Sequence, residues 1–515
     1  MSPSEQAAAA PSAASGGGPV LPPGAAAAVR AAFARAGYTA DGVLATLGAD
    51  GHRALERGEG VPGLRRTAGL GTPLATLVRL FLLQTTEPAD AVKAAVPLDA
   101  LVEGGILAQT ADGVRALVDL RPYGADDGPE GGWYVAGDLD TRLDVARRGA
   151  EVRQDHVLGV GGASATLAQL VPRTPVGRAL DLGTGGGVQV LHLSRHAEHV
   201  VATDVLPRAL AFARLTAELN GLEVELREGS LVEPVAGEAY DLVVSNPPFV
   251  IGAPDVHTYR DAGLPLDTLG EQLLRDVPPL LSPGGTFVMI GDWVRRAGDE
   301  PHARVRSWLP PEGYDALVVV RDEEDPAAYV STWLRDAGEH TAEDALERYD
   351  RWLAGLEDAR VEAVEFGWVL VRRHDEERVP HVEVLEWAHP VEQPVAPWLT
   401  ARLDAAVALA ALDDAALLAT PLQGREDVAQ ELHGAPGDED PESVVLRQAR
   451  GLRQARSVGT EAAGLVGACD GTIPLGALVE AVAQVLELDP DELRAALLPQ
   501  VRELVRDGFL VLPAG

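Results

Sequence analysis

Apolar positions fall along the chain in three regimes. From about residue 28 to 120 they recur at helical spacing, as in Leu74, Leu77, Leu80 and Phe81 and then Leu98, Leu101 and Val102. That regime closes on residues 106–120, which read as two short strands around a turn. Between about 151 and 390, short apolar runs alternate with helical segments; the runs are 178–183, 199–205, 224–229, 240–246, 285–293, 314–322 and 361–373. Seven such runs, with helices between the early ones, predict a parallel α/β sheet. The last two are separated by an inserted helical pair (325–360) and are expected to form an antiparallel edge pair. In the third regime, helices at about 475–487 and 490–506 lead into Gly508-Phe509-Leu510-Val511.

This pattern divides the chain into a tail at 1–27, a helical domain at 28–150, an α/β domain at 151–390 and a second helical domain at 391–515. The tail is Ala, Gly, Ser and Pro with almost no large apolar group, so it is expected to be disordered. Leu101-Val102-Glu103-Gly104-Gly105-Ile106-Leu107 matches the shape of Leu504-Val505-Arg506-Asp507-Gly508-Phe509-Leu510. Both have the form of the helix-into-wing step of a winged-helix module, although a short apolar helix ending at glycine suits any fold. The last helix carries Arg494, Arg502 and Arg506 but also Asp491, Glu492, Glu503 and Asp507, a balance unsuited to a DNA major groove. Residues 423–442 read as an acidic linker or loop.

Composition narrows the function. Hydrophobic residues make up 46% of the 515 and charged residues 23%, so the domains can bury cores of ordinary size. A net charge of −35 repels phosphate backbones except at a local basic patch and excludes a histone-like DNA binder. The single cysteine, Cys469, rules out an internal disulfide and a zinc ribbon, and is expected to be a small buried residue. No run of 18 apolar residues and no basic, cleavable leader are seen, so the protein is expected in the cytoplasm. Only Lys93 among the 43 basic residues is lysine, which genome bias explains as well as any phosphate-binding role.

Four motifs carry chemistry. Asp181-Leu182-Gly183-Thr184-Gly185-Gly186-Gly187 stands between an apolar strand and a helix, where glycines let the backbone turn sharply and approach a nucleotide-like group. A plain strand-to-helix turn or a nicotinamide site would use glycines too, but the third glycine of G-x-G-x-x-G would be position 188, which is Val188. Asp204 ends the next strand, 23 residues after Asp181, where a carboxylate can accept from both hydroxyls of a ribose, or cap the helix before Pro207. Glu228-Gly229-Ser230-Leu231 closes the third strand, either as an adenine contact or as a plain turn. Asn246-Pro247-Pro248-Phe249 follows a buried strand, 65 residues after Asp181. Its prolines end the ladder and fix the backbone, so the Asn246 amide and the Pro247 carbonyl can converge on one planar NH₂ nitrogen. Two acceptors on that nitrogen raise its electron density, and Phe249 can stack on its plane.

On these residues, 178–293 resembles the class I S-adenosylmethionine-dependent methyltransferases of the N-P-P-[YF] group. That group includes the HemK-type release-factor glutamine enzymes, the small-domain rRNA guanine-N2 enzymes and the adenine-N6 DNA enzymes. The resemblance implies a Rossmann-like seven-stranded sheet, with smaller helical domains at both ends. It implies that Asp181, Gly183, Thr184 and Gly185 border the methionine part of S-adenosyl-L-methionine, Asp204 the ribose, and Gly229 and Ser230 the adenine. It implies that Asn246 also touches the cofactor, and that Asn246, Pro247, Pro248 and Phe249 hold the acceptor. Ser230 stands where the group has Asp, and Phe249 brings no phenolic hydroxyl.

Other features carry less. Residues 155–164 precede the first strand, where a lid over the cofactor or a connector is expected. Tyr259 and Arg260 are placed at the substrate mouth. His192, His196 and His199 have a spacing that could clasp a metal, but with Gln189 they are read as the solvated side of a helix, and no metal is expected. Arg447, Arg450, Arg453 and Arg456, three apart, predict a basic helical stripe that either grips nucleic acid or pairs with the acidic stretch before it. The sequence therefore predicts an N-methyltransferase acting on a macromolecule, with protein glutamine and a nucleobase of rRNA or DNA both open and protein slightly favoured. The alternative is a non-catalytic, cofactor-sensing, nucleic-acid-binding protein, against which the intact acceptor motif argues. A nicotinamide oxidoreductase ranks third.

Overall fold

The computed structural model describes residues 18–124, 128–129, 132–141, 143, 153, 155–248, 250–252, 266–336, 344–435 and 443–513. Runs rich in Val, Leu and Ile form the central strands: β1 (Val176–Leu182), β2 (Ala197–Asp204), β3 (Glu225–Glu228), β4 (Tyr240–Ser245), β5 (Leu281–Arg296), β6 (Tyr314–Glu324), β7 (Val361–Arg373) and β8 (Val382–Glu386). They make one sheet in the order β8-β6-β7-β5-β4-β1-β2-β3. β1 pairs in parallel with β2 and β4, β2 with β3, and β4 with β5, whereas β7 runs antiparallel to both β5 and β6. The chain winds outward from β1 to β3 and then returns to β4 on the other side. The switch point, where such sheets leave a crevice at the strands' carboxyl ends, lies between β1 and β4.

All seven runs read as strands are strands, and the sheet is the mainly parallel one expected. An eighth, β8, was missed because Val-Glu-Val-Leu-Glu carries two carboxylates. It pairs in parallel with β6, so β6 and β7 are not the edge. β8 tolerates Glu383 because the Arg402 guanidinium meets its carboxylate at 2.7 Å. Both faces of the sheet are buried. Leu180, Val201, Val243 and Phe287 point to one core, and Ala179, Ala202, Leu242 and Val288 to the other, as the two-residue period of a covered parallel sheet requires.

The amino-terminal unit runs through helix Pro73–Leu77 and its continuation to Leu82, an isolated bridge between Glu87 and Val114, helices Ala89–Ala95 and Leu98–Glu103, and a hairpin of Leu107–Thr110 with Gly113–Ala116. The hairpin follows directly on the last helix, as residues 101–120 were expected to be arranged. Residues 1–17 of the expected tail lie outside the described residues, but 18–27 are packed. The Val20 N–H donates to the Gly104 carbonyl at 3.0 Å, Leu21 is buried, and a helix begins at Ala25.

The unit is docked on the sheet by helix Pro207–Asn220, whose start is preset by proline and whose end is closed by Gly221 at φ 69°. Phe212, Leu215 and Leu219 of that helix share a core with Phe33, Tyr38 and Tyr134. Asn220 exchanges two hydrogen bonds with the backbone of Tyr134, at 2.9 and 2.7 Å.

In the carboxyl-terminal unit, Pro421–Gly424 lies between Asp470–Pro474 and Leu510–Val511 in a small sheet, with helices Leu475–Leu486 and Pro490–Arg506 packed beside it. The presumed linker is in part a strand, since Val428–His433 pairs with Ser443–Gln448; residues 436–442 lie outside the described residues. Arg402 joins this unit to the sheet, meeting Asp507 on one side and Glu383 on the other. No helix among the described residues is long and apolar enough to cross a membrane.

Candidate cofactor and acceptor site

The glycine-rich loop leaves β1 at the switch point. The N–H groups of Gly183 and Thr184 both donate to the Thr203 carbonyl of β2, at 3.0 and 2.9 Å, which folds the loop back over the sheet edge. Gly183, Gly185 and Gly187 take φ of 78°, 53° and 81°, a region that L side chains rarely occupy. A Cβ at Gly183 or Gly185 would meet nothing within 4 Å, so the loop borders open space. At Gly186, by contrast, a Cβ would come within 2.9 Å of the Ala136 carbonyl and 3.1 Å of the Leu158 carbonyl. Glycine is needed there because the amino-terminal unit and the 155–161 segment close on the loop.

Two carboxylates order this corner. Asp181, 1% exposed at the end of β1, accepts from the Thr184 hydroxyl at 2.7 Å. Burial pushes its carboxyl up to about 7, against the Thr184 hydrogen bond and with a further rise from the Asp204 charge. Asp204 accepts from the Gly185 N–H and the Leu206 N–H, both at 2.9 Å. It is not the helix cap: Leu206 occupies the cap position, with no side-chain cap bond. Burial raises the Asp204 carboxyl also, and the N–H groups of Leu206 and Gly185 oppose the rise. A carboxylate offers about four acceptor directions, so the Asp204 side chain retains acceptor capacity beyond these N–H groups. The third-strand turn abuts this group, because the Gly229 N–H donates to the Asp204 carbonyl at 3.1 Å while Ser230 is exposed.

Val205, next to Asp204, was missed. It is 62% exposed, an apolar side chain left in the open beside the Asp204 carboxylate. Its signal was an apolar residue directly after the strand-ending carboxylate.

Asn246 follows β4, whose last residue, Ser245, hydrogen-bonds the Leu182 carbonyl at 2.8 Å and so ties the two strand ends together. The Asn246 amide nitrogen donates to the Ser164 hydroxyl at 3.0 Å. Its Oδ1 is buried and has no hydrogen-bond partner among the described residues. The contact puts Ser164, at the start of helix Gly162–Leu170, beside the acceptor motif. Pro247 is buried and Pro248 exposed. Both line a small cavity with Val250, Leu269, Met289 and Asp292. Phe249, Tyr259 and Arg260 lie outside the described residues.

Two expectations are corrected. Gln189 and His192 are buried, not a solvated face; the His192 ring meets Trp133 edge-on at 5.1 Å and the Tyr123 hydroxyl at 3.0 Å. Helical periodicity alone did not reveal the amino-terminal unit covering that side. The four arginines are not on a helix. Arg447 lies on strand Ser443–Gln448, Arg456 on Ala455–Val458, and Arg450 and Arg453 in the connection between. Arg447 pairs with Glu431 at 2.6 Å, and Arg456 with Glu503 at 2.9 Å and Asp507 at 3.1 Å.

Sheet order, glycine loop, strand-ending Asp204 and Asn-Pro-Pro at β4 together define a class I methyltransferase. The family profile described as "Methyltransferase small domain" matches residues 159–293, and two domains of unknown function, DUF7059 and DUF7782, match 35–117 and 398–512. The release factor glutamine methyltransferase of Deinococcus radiodurans is 33% identical over 195 residues, 31% of this chain and 69% of that protein. That of Geobacter sulfurreducens is 35% identical over 123 residues, 21% of this chain and 43% of that protein. The ribosomal RNA small subunit methyltransferase C of Ectopseudomonas mendocina is 38% identical over 135 residues, 26% and 40% of the two chains. The chain belongs to this N-P-P-[YF] methyltransferase family, and spans about half the length of the first relatives it matches.

Proposed function

We propose that the chain transfers a methyl group from S-adenosyl-L-methionine to a planar amide or amino nitrogen of a macromolecule, with a protein amide of the glutamine type favoured. The observation that carries this reading is the Asn246 carboxamide: one end is held by Ser164, and the other is a buried acceptor with no donor among the described residues. An unpaired buried carbonyl costs about 1–3 kcal/mol, a cost that an incoming N–H removes. With the Pro247 carbonyl as second acceptor, both hydrogens of an NH₂ are engaged and its lone pair is less delocalised. Phe249 supplies a ring for its plane.

The cofactor fits the residues present. Open space beside Gly183 and Gly185 receives the methionine part, Asp204 the ribose hydroxyls, and Val205 with Gly229 and Ser230 the adenine. When bound, it supplies an electrophilic methyl on a positive sulfur. The protein's part is to hold the nitrogen in line and keep its hydrogens engaged, catalysis by position and electrostatics without a covalent intermediate. A purely cofactor-sensing protein has no use for the open Asn246 acceptor.

Two observations favour protein over nucleic acid: the net charge of −35, and the pairing of Arg447 and Arg456 with carboxylates. The test is tritiated methyl transfer from S-adenosylmethionine into cell lysate, followed by RNase, DNase or protease. Label released only by protease is expected; label released by a nuclease would move the acceptor to nucleic acid, and no label under any condition would end the methyltransferase reading.

A further inference from the structure

Beyond the acceptor motif the chain enters a core of its own. Val250 and Ile251 are buried among Tyr329, Leu334, Trp352 and Leu356, from helices Pro326–Asp336 and Ala345–Asp358 inserted between β6 and β7. This pair lies outside the span matched by the methyltransferase profile, 159–293. Both backbone polar groups of Ile251 are taken by its side chains: the N–H donates to the Tyr329 hydroxyl at 2.7 Å, and the carbonyl accepts from Trp352 Nε1 at 2.9 Å. The Tyr329 hydroxyl donates in turn to Asp292 of β5 at 2.8 Å. Ile251, Tyr329 and Trp352 are fully buried, and Asp292 is 5% exposed. Asp292 also lines the cavity that Pro247 and Pro248 border.

Loop backbone normally stays at the surface because water satisfies its polar groups. Here a loop is drawn into the interior, and every polar group of one residue is matched from elsewhere in the chain, as burial requires. An insertion that merely covered a surface loop would need only its apolar faces, since water would serve the loop's backbone. This one aims two polar side chains at a single residue, five positions after Asn246. The chain is therefore fixed at Ser245, just before Asn246, and again at Ile251.

We propose that Tyr329, acting with Trp352 and Asp292, is a positioning residue for the methyl acceptor: the inserted helices fix Ile251 and thereby the line along which the Asn246 and Pro247 carbonyls face the acceptor nitrogen. This rests on the methyl-transfer reading above.

The test uses the full chain, tritiated S-adenosylmethionine and lysate protein as acceptor, with cofactor affinity measured by calorimetry. Tyr329→Phe should lower the transfer rate by roughly 10-fold to 100-fold while cofactor affinity stays within about twofold, the pattern of a displaced acceptor site. Leu334→Ala, which loosens the same core but leaves both hydrogen bonds to Ile251 in place, should lower the melting temperature at least as much yet keep the rate within about threefold. Asp292→Asn, still able to accept from Tyr329, should retain much more rate than Asp292→Leu. If Tyr329→Phe fails to fold, Trp352→Phe removes the other Ile251 bond and is read the same way.

A Tyr329→Phe rate equal to wild type, or a loss no greater than that of Leu334→Ala, overturns the proposal. Asn246→Ala separates the two failures. If it is inactive while Tyr329→Phe is active, only the positioning role falls; if it too is fully active, or the wild type transfers nothing, the methyl-transfer reading falls and takes the positioning role with it.

Discussion

The two halves of the sheet's carboxyl edge are built by different means. The half at β1 to β3 is held chiefly by contacts short in sequence. Thr184 reaches Asp181 across a separation of 3 residues and Gly185 reaches Asp204 across 19, so the contacts that shape the proposed cofactor corner span no more than two consecutive strands and the loop and helix between them. The half at β4 to β7 is made of side chains from distant places: Asn246 meets Ser164 at a separation of 82, Ile251 meets Tyr329 at 78, and Trp352 reaches back 101 residues. Loop-closure entropy makes distant contacts costly to assemble, and a fold can exchange them without disturbing the local corner. A cofactor common to many enzymes suits the first construction, and an acceptor particular to one suits the second.

The sharpest way to break this division is Asn246→Ala. It should reduce methyl transfer by roughly 10² to 10³, as when a positioned transition-state partner is lost, and leave cofactor affinity untouched; a single-turnover assay beside a binding titration reads both. The converse variant, Asp204→Ala, should weaken cofactor binding by roughly 1 to 3 kcal/mol, the worth of charge-assisted hydrogen bonds, in a protein that still folds.

What could be read in advance follows the same division. Asp181, Gly183, Gly185 and Asp204 could be expected to meet because their contacts are with near neighbours in sequence, and the strand runs were legible because burial on both faces imposes continuous apolar stretches. Tyr329 and Trp352 were not legible as parts of a site, and Ser164 only as the end of an expected lid, since only the folded sheet brings them to Ile251 and Asn246. β8 escaped because its carboxylates hide an edge strand whose partner, Arg402, lies outside it. His192 and the four arginines were misread from spacing alone: a three-residue step describes a helix face only where a helix exists, and Arg453, at φ 54°, sits in a turn.

Smaller effects sharpen the boundary between the halves. Gly186→Ala forces a Cβ against two backbone carbonyls and should cost about 1–3 kcal/mol of stability by overpacking, measured by denaturant unfolding, because the amino-terminal unit must move off the loop. Asp181 predicts a pH signature. Its folded carboxyl titrates at about 7 against 3.8 for the free group, so the folded state holds that proton more tightly. Its contribution to stability is full below about pH 4 and is lost as pH rises through about 7. Asp181→Asn should flatten the fall in melting temperature of the cofactor-free protein between those limits. Smallest of all, replacing Arg450 and Arg453 should leave transfer to a protein acceptor nearly unchanged, with only shallow salt dependence from surface screening; a steep log-log slope that these substitutions reduce would instead mark a phosphate-binding surface.

The division is tested most directly by one calorimetric series, titrating S-adenosylmethionine into the wild type, Asp204→Ala and Asn246→Ala. The wild type should bind, Asp204→Ala should bind at least about fivefold more weakly, and Asn246→Ala should match the wild type. No binding by the wild type, or equal weakening in both variants, would contradict an edge divided into a cofactor half and an acceptor half.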